Sequence, residues 1–75
     1  MDAVVYTTRG CQACRLTIKA LADQGVHVES VQLEDNPRAA DLVAALGYQQ
    51  APVVTTGDRW WSGFRLDQIK AVADA

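Results

Sequence analysis

A β-branched run, Ala3-Val4-Val5-Tyr6-Thr7, breaks at Thr8-Arg9-Gly10 into a stretch with helical spacing, and a second β-branched run, Val26 to Leu33, follows. Between them, from Gln12 to Gln24, the apolar positions Cys14, Ile18 and Leu21 recur on one helical face, and Gly25 supplies a stop. Strand, helix and strand in so short a span leave one route for the chain, a right-handed crossover that lays the two strands parallel and adjacent. The first run is apolar on both sides of its alternation, which suits a central strand covered on both faces.

The remainder reads as one more helix, a hairpin and a closing helix. Asn36-Pro37 is an N-cap followed by proline at the first helical position, and Gly47 closes a helix whose inner face would hold Ala39, Val43 and Leu46. Pro52 to Thr56, a Gly57-Asp58 turn and Arg59-Trp60-Trp61 form an antiparallel pair, with Pro52 at the first strand position, where no ladder donor is lost. Trp60 and Trp61 are neighbours in a strand and point to opposite faces, and Trp61 is expected to pack inside. From Leu66 to Ala73 the residues Leu66, Ile69, Val72 and Ala73 share a face. The order is βαβαββα. With 75 residues there is room for one domain, 1–75, close to the smallest size that a single core holds together.

Composition narrows the partners. A net charge of −2 with basic residues scattered singly leaves no electrostatic footprint for nucleic acid, and proteins or small molecules are the expected partners. No apolar run approaches a membrane span, and Met1-Asp2-Ala3 begins nothing like a secretory leader, so a cytoplasmic protein without membrane contact is expected.

The chemistry sits in Cys11-Gln12-Ala13-Cys14, which holds both cysteines of the chain at the start of the first helix. A thiol in a first helical turn meets unpaired backbone N–H groups and the positive end of the helix dipole, which favour thiolate over thiol. The second sulfur, three positions on, lies on the same face, so a disulfide can open and close there without unfolding the chain. Cys11, nearer the helix end, is the candidate attacking thiolate, with Arg9 and Arg15 close in sequence to favour its charge. Cys14 is the candidate resolving thiol. Half of a zinc site is the competing reading, but only His27 remains as a further ligand of the usual kind, so no metal is expected. His27 and the acidic pair Glu34-Asp35 read as solvated positions, the pair as a capping turn.

With Cys-x-x-Cys after the first strand and Ala51-Pro52-Val53 at the third, this element order resembles the thioredoxin superfamily, in its short glutaredoxin-type branch. The stretches Leu46-Gly47-Tyr48-Gln49-Gln50-Ala51-Pro52-Val53-Val54 and Trp61-Ser62-Gly63-Phe64-Arg65 are similar to those of the NrdH-redoxins. That resemblance implies an α/β thioredoxin-like fold, a four-stranded mixed sheet flanked by three helices. It also implies a small monomeric dithiol-disulfide oxidoreductase that donates electrons to the large subunit of class Ib ribonucleotide reductase. No cofactor would be bound, and electrons would come from NADPH through thioredoxin reductase and the FAD that the reductase carries.

Sequence alone leaves Ala51-Pro52 open between cis and trans, and the resemblance implies cis, with Gln50, Ala51 and Pro52 beside the sulfurs and the Ala51 backbone available to an extended peptide. Gly63 would let the backbone come close to the site, and Phe64 and Arg65 would be docking residues. Tyr6 fits either the rim of the site or the core. A glutathione-dependent glutaredoxin is the alternative. It usually carries Gly-Gly and an acidic pair ahead of the last helix, where this chain has Ser62-Gly63-Phe64-Arg65-Leu66-Asp67. A metal or iron–sulfur module shared by two chains through Cys11 and Cys14 is the remaining one.

Overall fold

The computed structural model describes residues 2–74. Eight elements follow in order: β1 (Asp2–Thr7), α1 (Gln12–Asp23), β2 (His27–Gln32), a 3-10 turn (Leu33–Asp35), α2 (Pro37–Ala45), β3 (Val53–Thr55), β4 (Trp60–Ser62) and α3 (Leu66–Asp74). The strands form one mixed sheet in the order β2-β1-β3-β4. β1 runs parallel to β2, from Asp2 opposite His27 to Thr7 opposite Gln32, which is the crossover expected from the sequence. β3 runs antiparallel to β1, with Tyr6 opposite Val53, and β4 antiparallel to β3, with Val53 opposite Ser62. This is the thioredoxin-like βαβαββα fold. No described helix is long and apolar enough to cross a membrane.

Local chemistry sets the helix ends. Asn36 accepts the Ala39 N–H at its side-chain oxygen, 3.3 Å, with Pro37 in the first turn, where a missing N–H costs nothing. At the other end of α1, Gly25 takes φ +82°, and Val26 N–H reaches back to the Leu21 carbonyl, 3.1 Å, closing the helix and sending the chain into β2.

Alternation along the strands divides the side chains between two layers. Ala3, Val5, Val54 and Trp61 face α1 and α3, where they meet Leu21, Ile69 and Val72 in one buried cluster that also takes in Val26. Val53 points the other way, toward Val43 of α2. Trp61 is therefore core, as its packing reading required, and 3% of its surface remains exposed.

Three expected inner positions lie elsewhere. On α1 the buried residues are Cys14, Thr17 and Leu21, while Ile18 is half-buried at the edge of the cluster. Thr17 can take the inner place because its hydroxyl donates to the Ala13 carbonyl, 2.8 Å, leaving no polar atom unpaired. Leu46 caps α2 and Leu66 opens α3, and both are exposed. Each sits where the helix ends, so it lacks the neighbouring turn that would carry it onto the inner face. Pro52 stands just before β3 rather than within it.

Candidate functional site

β1 delivers the chain at its C-terminal end to the loop Thr8-Arg9-Gly10 and then to Cys11, which is the N-cap of α1 with extended backbone (φ −87°, ψ 103°). Cys11 Sγ accepts the backbone N–H of Cys14 at 3.0 Å. The two cysteines are joined as a disulfide, with Cα atoms 5.2 Å apart. An amide aimed at a sulfur at a helix N-terminus is worth most when that sulfur carries charge, so the same donor stabilises a Cys11 thiolate once the bond opens. The two sulfurs are not equivalent to a visitor. Cys11 is half-buried, whereas Cys14 is 2% exposed.

The arginines expected to favour the Cys11 charge turn to other partners. Arg9 donates from its backbone N–H to Glu34 Oε2, 2.9 Å, and from its guanidinium to Asp35 Oδ1, 3.2 Å. Arg15 donates to Gln12 Oε1, 2.7 Å. The pair Glu34-Asp35 is thus more than a solvated capping turn, since it ties the loop ahead of Cys11 to the turn after β2. The Arg9 N–H is the main reason that the Glu34 carboxyl lies below its ordinary value. Both side chains of the Arg9–Asp35 pair are more than 60% exposed, so the tie contributes position more than energy. His27 is exposed on β2, as expected for a solvated residue.

The antiparallel register places Val53 opposite Tyr6, so the segment entering β3 arrives at the sheet end from which Cys11 departs. Ala51-Pro52 is cis there, and Pro52 is buried. Two hydrogen bonds staple this segment to the loop after β4: Gly63 N–H to the Pro52 carbonyl and Ser62 Oγ to the Gln50 carbonyl, both 2.8 Å. Gln50 is exposed and Ala51 half-buried. Beside them a cleft of about 190 Å³ runs between α2 and the segment, with Thr8, Leu33, Val43, Tyr48 and Val53 in its walls.

Phe64 is exposed at the opening of α3. Arg65 is engaged with Asp67 in a two-pronged ion pair, Nε to Oδ1 at 3.1 Å and Nη2 to Oδ2 at 2.8 Å, which holds the Asp67 carboxyl below its ordinary value. Tyr6 sits between its two readings. It is half-buried, and its ring stacks on that of Trp60, centroids 6.2 Å apart and planes 5° from parallel. Trp60 stacks in turn against Tyr48, at 6.4 Å and 17°. Among the described residues no group of three or more His, Cys, Asp or Glu side chains could hold a metal ion. Glu34, Asp35, Ser62, Tyr48 and Trp60 are the neighbours of the site that sequence reasoning left without a role there. Tyr48 and Ser62 carried a signal, within the stretches from Leu46 to Val54 and from Trp61 to Arg65.

Comparison with known proteins agrees with this geometry. The glutaredoxin family model matches residues 3–61. The glutaredoxin-like protein NrdH of Salmonella typhimurium is 42% identical over 69 residues, 92% of this chain and 85% of that one. The glutaredoxin-like protein NrdH of Escherichia coli is 37% identical over 75 residues, 100% of this chain and 93% of that one. A solved structure of the Escherichia coli NrdH-redoxin, a glutaredoxin-like protein with a thioredoxin-like activity profile, superposes with a TM-score of 0.91 at 38% identity, covering 96% of this chain and 95% of that chain.

Proposed function

The chain belongs to the NrdH-type glutaredoxin-like proteins, thiol-disulfide redox proteins of the glutaredoxin family, and from that premise we propose that it is a dithiol electron donor to protein disulfides. The proposed customer is the large subunit of class Ib ribonucleotide reductase. The proposed source of electrons is NADPH, passed through the FAD of thioredoxin reductase, with no cofactor resident on this chain, which works as a cytoplasmic monomer. The observation that carries the exchange chemistry is the pairing of an accessible, amide-capped Cys11 with a buried Cys14 one turn deeper.

The cycle balances in two exchanges. The Cys11 thiolate attacks one sulfur of the partner's disulfide, forming a mixed disulfide while the partner's other sulfur leaves as a thiolate and takes a proton. Cys14 then gives up its proton and attacks the Cys11 sulfur, so the Cys11–Cys14 bond forms and the partner departs as a dithiol carrying two electrons and two protons. The reductase dithiol reverses these steps on the oxidised chain. In this reading the Ala51 backbone pairs with the extended peptide around the partner's cysteine, with Gln50 and Pro52 framing it. Phe64 and Arg65 meet the partner from the start of α3.

The engagement of Arg9 with Asp35 and of Arg65 with Asp67 supports a protein substrate over glutathione. A tripeptide with two carboxylates is held by unengaged cations, and these two flanking arginines already face carboxylates of the chain itself. NADPH consumption with a disulfide substrate separates the readings. Turnover is expected with thioredoxin reductase and not with glutathione and glutathione reductase. Rapid turnover in the glutathione system alone, or a Cys11–Cys14 disulfide that thioredoxin reductase leaves intact, overturns the proposal.

A further inference from the structure

From Ala44 to Gln50 every side chain is exposed except that of Tyr48. This stretch carries the chain from the end of α2 to the Ala51-Pro52 segment. At its start the chain is held by three backbone bonds, Leu46 N–H to Leu42, Gly47 N–H to Ala44 and Tyr48 N–H to Val43. At its end it is held by the Ser62 hydroxyl on Gln50. Between those points the one side chain that packs is the Tyr48 ring, and what it stacks on is Trp60. The same indole also stacks with Tyr6, at the end of the strand that leads to Cys11. Trp60 therefore contacts both the strand that delivers the nucleophile and the segment that borders the cleft.

We infer that Trp60 is a positioning residue for partner binding: acting through Tyr48, it fixes the segment from Gln49 to Ala51 at a set distance from the end of β1. The two ends of the stack are unequally supported. Tyr6 belongs to a strand paired on both sides, with Val31 of β2 and Val53 of β3. Removing the indole leaves that strand, and the Cys11 loop after it, in place. Tyr48 lies outside the sheet, its backbone held by the N–H bond to Val43 and its ring by the indole, so the loss falls first on the bordering segment, which touches the partner equally in the ground state and the transition state of the exchange. A change of that kind raises the half-saturating concentration and spares the maximal rate. The role rests on reading the chain as a reductant of protein disulfides.

The test follows insulin disulfide reduction by the pre-reduced protein across a range of insulin concentrations. Trp60→Ala is expected to raise the half-saturating concentration about fivefold, the worth of one lost aromatic stack, with the maximal rate and the Cys11–Cys14 reduction potential at wild-type values. Trp60→Phe restores it. Tyr48→Ala, a change in a loop that disturbs no strand, reproduces the Trp60→Ala effect, and the double variant is no worse than either single one, because both remove the same contact. An unchanged half-saturation in either alanine variant, a fall confined to the maximal rate, failure of Trp60→Phe to restore binding, or additive effects in the double variant each overturn the role. A wild-type protein that does not reduce insulin disulfides at all contradicts instead the functional reading on which the role rests.

Discussion

Under α1 and α3 the sheet presents Ala3, Val5, Val54 and Trp61 to Leu21, Ile69 and Val72, and all of these side chains are buried. On the opposite face α2 buries only Ala39 and Val43, and Tyr6, Tyr48 and Trp60 remain half-exposed beside a cleft. A chain of this size has apolar surface enough to close one layer fully, and the packed layer is where single changes cost most. The open layer gives up burial and keeps surface near the Ala51-Pro52 segment. Cys14 and Thr17 lie on the buried side of α1, so the Cys14 sulfur belongs to the packed part of the molecule and Cys11 to its rim.

If that division is right, the largest loss of stability comes from the closed face. Ile69→Ala should destabilise by about 3 kcal/mol, a large part of the total for a small domain, read as a lowered denaturant midpoint with unchanged slope. On the open face Trp60→Ala should cost less, about 1–2 kcal/mol, since two stacks are lost from a half-exposed ring. An open-face loss equal to that of Ile69→Ala would break the contrast.

Asn36→Ala removes the α2 cap and should cost about 1 kcal/mol, with the insulin-reduction rate of the folded protein retained. The smallest effect is in acid. Glu34 has a folded pKa below its ordinary 4.5, so its contribution is present above that value and is lost as pH falls through the lower, folded one. Asp67 adds a contribution of the same sign. Glu34→Gln should therefore make the acid limb of the stability profile shallower and leave stability near neutrality little changed in slope with pH, which a series of denaturant titrations across pH would show.

What could be read from the sequence was local. The first three strands announced themselves by β-branched runs, β4 by the Gly57-Asp58 turn before it, α2 by Asn36-Pro37, and the redox pair by its spacing and its place at a helix start. What escaped depended on atoms far apart in the chain or on helix geometry. Thr17 replaces Ile18 inside because a carbonyl four residues back satisfies its hydroxyl. Leu46 and Leu66 were assigned by periodicity, which does not mark where a helix stops. The tie between Arg9 and Glu34 spans 25 residues and has no signature in either neighbourhood. The Tyr6–Trp60–Tyr48 stack joins two strands and a loop that are adjacent only once the sheet has formed, and the strand alternation at Trp60 gave its face without its partners.

The central claim is that Cys11, capped by the Cys14 amide, attacks first and that Cys14 resolves. Its most direct test is the intact mass of Cys14→Ser and Cys11→Ser proteins after incubation with insulin. Cys14→Ser should accumulate a covalent mixed disulfide that a reductant releases, and Cys11→Ser should carry none. A stable adduct on Cys11→Ser and none on Cys14→Ser would contradict the assignment and reverse the roles of the two sulfurs.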